Sequence, residues 1–138
     1  MFYSCIALES FTSKLDNLKH GEYMFNGCSA LTSFDVDISN VTDGHYMFNG
    51  CTSLTSFESD LTSLTNGRYM FRDCELDSES IQCIAENIND LASQYKTGVI
   101  HIGHSSDVAP DVLQACNKKL TDKGWDAYFN NVKIEDLE

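Results

Sequence analysis

Six cysteines are the residues best suited to chemistry in this 138-residue chain, because thiols form disulfides and bind soft metal ions. Four of them recur every 23 residues, at Cys5, Cys28, Cys51 and Cys74. Because they occupy the same position in each repeat, we expect them to stack in a column of buried, free thiols that behave as small apolar side chains. Disulfides between neighbouring repeats are one alternative. A metal site is a weaker one, because a linear column does not surround an ion tetrahedrally. Cys83 and Cys116 are predicted on apolar helix faces.

Two histidines lie in a short motif that matches a known catalytic signature. His101-Ile102-Gly103-His104 spells the HIGH signature of class I aminoacyl-tRNA synthetases. The lysine-containing partner motif is absent and the chain is far too short, so the sequence does not predict this activity. We expect His101 on the surface of the last strands and His104 in the loop that follows.

The sequence predicts no enzyme. It contains no G-x-S-x-G, no phosphate loop, no nucleophile paired with a base and no spacing typical of metal ligands. We therefore assign no catalytic, cofactor-binding or metal-ligating residue and expect no cofactor.

Acidic side chains form the candidate recognition surface. Alternation along the predicted strands turns residues next to Phe34 and Phe57 outward. The candidate partner-binding face comprises Ser33, Asp35, Asp37, Ser56, Glu58 and Asp60. Like charges on adjacent strands are mildly destabilising, so a cation or a basic partner would offset them. A merely solvated acidic face is the alternative.

Composition narrows the class of partner. The net charge is −12, with 9 Lys+Arg against 21 Asp+Glu. Nucleic acids and anionic membrane surfaces both attract basic proteins, so neither is an expected partner. No apolar run approaches the roughly 20 residues of a membrane-spanning helix, and no secretory signal precedes the repeats. A protein partner is the remaining expectation.

The elements that position these residues come from an internal repeat. The pair Met-Phe recurs every 23 residues, at Met1, Met24, Met47 and Met70. So short a unit does not bury its own apolar face, which predicts a right-handed α/β solenoid of stacked repeats with parallel strands. Residues 1–76 hold three full coils and a partial fourth.

Each repeat predicts three local structures. Residues 31–36 have the spacing of a leucine-rich repeat strand, and residues 41–44 predict a shorter strand that ends at a Gly44 of positive φ. Residues 22–27 predict one turn of helix on the convex side. A further column, Tyr23, Tyr46 and Tyr69, predicts aromatic stacking between coils rather than a ligand platform.

The pattern changes after Cys74, where Ser80 stands in place of the repeated Phe. A helix with Asp77 or Ser78 as its N-cap is predicted to Leu91, then a strand over 99–102. A second helix from Pro110 to Gly124 and a strand over 125–129 complete a helix-strand-helix-strand cap over residues 77–131. We expect these two units to continue the right-handed winding and to add their strands to the sheet of the repeats. Residues 132–138 form an acidic tail whose Leu137-Glu138 is typical of a cloning scar.

The repeat resembles a known family. The unit M-F-x-x-C-x-x-L-T-S-F, present over 24–34 and 47–57, is similar to the BspA-like leucine-rich repeats of bacterial surface proteins. The resemblance implies a cell-surface or secreted adhesion or protein-interaction module that binds host, matrix or other surface proteins through its concave strand face. A structural stalk and an accessory domain of a larger enzyme are the alternatives.

The first repeat has no predicted cap, because Met1 already occupies the Met column. Two interpretations remain open at this end. Either the chain is a piece of a longer array, or a partner covers the open coil, for example a second copy in self-association.

Overall fold

The computed structural model describes residues 2–134. Its strands and helices are β1 (Ser33–Phe34), β2 (Ser56–Phe57), β3 (Gly67–Leu76), α1 (Ser78–Asn87), β4 (Gly98–His104), α2 (Pro110–Asp122) and β5 (Trp125–Phe129). The predicted acidic tail lies outside the described residues from position 135 onward. Within the described part of the chain, no helix is long and apolar enough to cross a membrane.

Neighbouring repeats pair in parallel, as predicted. Ser33 lies opposite Ser56 and Phe34 opposite Phe57, so the register equals one repeat. Each strand is only two residues long, shorter than the predicted 31–36. The flanking backbone is used in turns, because the amide of Leu31 donates to the Cys28 carbonyl at 3.2 Å and the strand is followed by an Asx turn at Asp37.

The predicted one-turn helices are wrong: residues 22–27 form turns that are also a ladder between repeats. Tyr23 and Gly27 have φ values of 59° and 75°, which a right-handed helix does not allow. Alternate amides donate to carbonyls of the next repeat, 22 residues further on, at 2.7–3.2 Å, namely those of Gly21, Tyr23, Phe25 and Gly27. The intervening amides bond within the turn, for example Met24 to Gly21 at 3.1 Å.

The cap extends this ladder and not the short strands β1 and β2. In the third repeat the same segment becomes β3, which pairs in parallel with β4, and β4 pairs with β5. The predicted extra strands therefore exist, but they join a different sheet from the expected one. Helix α1 lies where a third short strand would follow β2, and the amide of Phe57 donates to Ser80 Oγ at 2.8 Å.

The cap elements otherwise follow the predicted order. Asp77 is the N-cap of α1 and accepts from the amide of Ser80 at 2.9 Å. Helix α1 ends at Asn87, before the predicted Leu91, because Ile88 is extended and pairs with Leu61. Pro110 opens α2, and Gly124 at φ 88° ends the following turn.

Glycine in the repeated Gly21–Gly44–Gly67 column serves close packing. The prediction of a positive φ at Gly44 is wrong, because the left-handed conformation falls on Tyr46 and Gly50. A Cβ at Gly44 would lie 3.0 Å from Met70 Sδ of the next repeat. The repeat core is a continuous stack of phenylalanines, with Phe48 stacked 5.4 Å from Phe25 and 5.5 Å from Phe71.

Candidate functional site

The four carboxylates of the candidate face are all exposed. They alternate with residues that point inward, of which Phe34 and Phe57 are at most 2% exposed. The side chain of Asp37 accepts from the amide of Ser39 at 2.9 Å. Hydrogen bonding by the side chain of Ser39, and then by its amide, holds the pKa of Asp37 below its usual value. Ser33 is exposed and Ser56 half-buried. The alternation therefore presents an acidic surface beside the two short strands.

A cleft of about 350 Å³ continues this surface toward α1. Its lining includes Ser56 and Glu58 from the candidate face together with Asp77, Glu79, Ser80 and Cys83. The pKa of Cys83 is raised, first by burial, then, after an opposing hydrogen bond from Asn87, by nearby carboxylates including those of Asp60 and Glu58. The cleft thus carries a negative electrostatic potential. The sequence analysis predicted helix α1 but missed its place beside this face, because it expected the cap strands to extend the sheet there.

The cysteine column consists of free thiols, and they are buried as predicted except at Cys5, which is half-buried in the first repeat. All six cysteines are free, and the repeat thiols of Cys28, Cys51 and Cys74 are buried. Each donates to the carbonyl of a Phe in the preceding repeat, at 3.0, 3.1 and 3.2 Å. Burial raises the pKa of Cys51 to about 12, so this thiol is not a nucleophile at neutral pH.

The tyrosine column stacks between repeats as predicted, and it is longer than predicted. The rings of Tyr23 and Tyr46 lie 4.8 Å apart, and those of Tyr46 and Tyr69 lie 4.9 Å apart. His101 continues the stack, 4.3 Å from Tyr69 and 4.8 Å from Tyr128. The prediction of a surface position for His101 is wrong, since the residue is 8% exposed. His104 ends β4 instead of lying in a loop.

The HIGH motif is explained by packing. His101 Nδ1 accepts the amide of Tyr69 at 3.0 Å, which fixes the neutral tautomer with its proton on Nε2. A Cβ at Gly103 would lie 2.6 Å from the backbone of Cys74, so glycine allows β3 and β4 to approach. Neither histidine faces a nucleophile or a phosphate loop in the described structure.

One polar cluster was not predicted from the sequence. Ligand atoms of Glu22, Asp43 and His45 lie within 4.8 Å of one another. The ring of His20 lies 3.4 Å from Glu22, measured between Nδ1 and Oε1. The signal in the sequence was the repeat itself, because aligned columns place these residues side by side.

Two further surfaces are a cavity between the third repeat and the cap and, at the opposite end of the stack, the edge of the first repeat. A cavity of about 660 Å³ lies near the starts of β3, β4 and β5, with Arg68 and Asn66 among its lining. At the other end, the first repeat leaves Tyr3 61% and Ile6 71% exposed, so its edge is apolar. Self-association through that edge stays a prediction.

Comparison with known proteins adds one positive finding. The family description "BspA type Leucine rich repeat region" matches residues 1–99, in 6 copies. No curated protein and no solved structure matches the chain.

Proposed function

Because the chain belongs to the BspA-type leucine-rich repeat family, we propose that it is a non-catalytic protein-interaction or adhesion module of a bacterial surface protein. Its partner binds the acidic face defined by Ser33, Asp35, Asp37, Ser56, Glu58 and Asp60. The partner is a host, matrix or other cell-surface protein, and the module works outside the cell or on its surface.

One observation carries the choice of surface. Four exposed carboxylates from two consecutive repeats share a face that continues into an acidic cleft beside α1. The ion pairs found among residues 2–134 join basic side chains to other carboxylates and to none of these four. This charge is available to a basic partner surface, which it would attract and orient.

The test reverses the charge of the four carboxylates of the face in the whole chain. Purified protein is measured by biolayer interferometry against a panel of immobilised extracellular-matrix proteins, beside the variant D35K/D37K/E58K/D60K. A matched control, D16K/E75K/D107K/D111K, makes the same change in charge at exposed residues that are not members of the face.

We expect wild type and the control to bind the same panel member and the face variant to lose at least tenfold in affinity. Equal binding by both variants would place the contact elsewhere on the molecule. Failure of wild type to bind any panel member or bacterial cells would favour a stalk.

A further inference from the structure

Two columns of polar side chains run across three repeats beside the tyrosine stack. The first column contains His20, Asp43 and Asn66, whose successive members form parallel β-bridges. The second, two residues further along each repeat, contains Glu22, His45 and Arg68. Residues two apart on such a ladder share a face, so the columns form three rows of two.

The second and third rows have the same backbone structure but different chemistry. Asp43 Oδ1 accepts from the amide of His45, and Asn66 Oδ1 accepts from the amide of Arg68, both at 3.1 Å. The turn needs only a side-chain oxygen, which Asn supplies as well as Asp. The charge of Asp43 and the imidazole of His45 are therefore not required by the turn.

The first two rows bring potential metal ligands together. Glu22, Asp43 and His45 each offer one ligand atom, and the three atoms lie within 4.8 Å of one another. His45 Nδ1 lies 2.7 Å from Asp43 Oδ1. His20 Nδ1 lies 3.4 Å from Glu22 Oε1, and the His20 side chain is 73% exposed and so has room to reorient.

The cluster concentrates negative charge, and no lysine or arginine of residues 2–134 forms an ion pair with its carboxylates. The side chains of Glu22 and Asp43 are only 29% and 28% exposed. Within residues 2–134, Glu22 and Asp43 form ion pairs with histidines alone. Two converging carboxylates favour a cation at their centre, which is either a protonated imidazole or a metal ion.

We propose that His20, Glu22, Asp43 and His45 bind one divalent transition-metal ion of the zinc class. Two imidazole nitrogens and two carboxylate oxygens are a donor set that zinc accepts, whereas calcium and magnesium prefer oxygen alone. Zinc bonds of about 2.0–2.2 Å place neighbouring ligand atoms about 3–3.5 Å apart, so small side-chain rotations suffice for Glu22, Asp43 and His45. The exposed His20 completes the set by a larger reorientation. Asn66, the next member of this column, is joined to Asp43 by a parallel β-bridge.

The site would join two repeats. His20 and Glu22 end the first repeat, and Asp43 and His45 end the second. A metal ion that binds only the folded arrangement stabilises the stack between them by mass action.

The experiment is isothermal titration calorimetry of the whole chain with zinc chloride, together with thermal unfolding with and without zinc. The test variant D43N/H45R copies the third row of the same columns, so the Asx turn is kept. The control H104R/D107N makes the same pair of chemical changes at residues outside the cluster.

We expect one zinc ion per chain, a higher unfolding midpoint with zinc, and at least a tenfold loss of affinity in D43N/H45R but not in the control. E22Q gives a second measurement if the double variant fails to fold, and it is expected to weaken binding by a similar factor. Absence of zinc binding by wild type overturns the proposal. So does undiminished binding by a folded D43N/H45R or by E22Q, which would place the metal elsewhere, for example at the thiols.

Discussion

At the scale of single residues, the aromatic stack shows how a repeat position can change identity and keep its role. Tyr23, Tyr46 and Tyr69 all have φ between 55° and 59°, an uncommon conformation for a bulky residue. Ring stacking against the neighbouring repeat offsets the cost of that conformation. His101 takes the next place in the stack and also accepts the amide of Tyr69. Histidine therefore both stacks and accepts the amide hydrogen bond, whereas tyrosine in this position would only stack.

This histidine makes stability depend on pH. Burial, with Arg68 and Arg72 nearby, lowers the pKa of His101, while Asp126 opposes the shift. The unfolded chain has a His pKa of about 6.5 and so binds the proton more readily than the folded chain. The contribution of His101 to stability is complete above about pH 6.5 and is lost as the pH falls toward the folded-state pKa. We expect the urea midpoint of wild type to be lower at pH 5 than at pH 7.5.

The variant H101F checks this assignment. It keeps a stacked ring, loses the acceptor for Tyr69, and is expected to be less stable by about 1–3 kcal/mol at pH 7.5. Its midpoint should change less with pH than that of wild type. H104F is the matched control, and it should keep the wild-type pH dependence. An unchanged pH dependence in H101F would contradict the role of this residue.

At the scale of elements, α1 closes the edge that β2 would otherwise expose. Ser80 stands where the repeat has Phe, is 2% exposed, and accepts from the amide of Phe57. Its hydroxyl also donates to the carbonyl of Thr55 at 3.2 Å. One side chain thus replaces two backbone partners that a further strand would supply, which protects the edge from pairing with another chain.

Replacing this serine tests the closure. S80A leaves the buried amide of Phe57 without its acceptor, and we expect a loss of about 1–3 kcal/mol in the free energy of unfolding. S78A, at the half-buried first residue of α1, should change stability by less than about 0.5 kcal/mol. Chemical denaturation followed by circular dichroism measures both. Equal effects of the two variants would show that the hydroxyl of Ser80 does not support the edge.

The sequence predicted the elements with a strong periodic or capping signal and missed those made by contacts between repeats. Asp77 as N-cap, Pro110 in the first turn of α2 and Trp125–Phe129 as a strand all have local signatures. The segment 22–27 has local turn bonds like those of a helix, and it is distinguished by its positive φ values and by the amides that reach the next repeat. For the same reason, the exposed carboxylates were predictable by alternation, whereas the α1 side of the cleft and the His45 cluster were not.

At the scale of the whole molecule, the buried thiols report on the integrity of the stack. Cys28, Cys51, Cys74 and Cys116 are buried, whereas Cys5 and Cys83 are half-exposed. The repeat thiols each bond to a neighbouring repeat, so reagents reach them only when repeats separate. Their reactivity therefore measures opening of the stack and not a local fluctuation at one side chain.

Thiol titration with Ellman's reagent checks this picture. At pH 8 we expect Cys5 and Cys83 to react first and the four buried thiols only on unfolding, with all six titrated in denaturant without a reductant. The variant C5S/C83S should lose the fast phase and keep the slow one. Fewer than six thiols in denaturant would reveal a disulfide and contradict the free-thiol assignment.

The register between repeats has a consequence for how such a protein changes over evolutionary time. Amides of the 21–27 segment bond to residues 22 positions on, and the short strands pair 23 positions apart. Met24-Phe25 and Met47-Phe48 begin nearly identical sequences, so removal of residues 24–46 would join Tyr23 to Met47 with equivalent neighbours. Recombination between repeats in the gene therefore changes length in whole coils and leaves each junction well packed. Variation in length is the change this architecture tolerates most easily, while an insertion of one or two residues would displace every column at once.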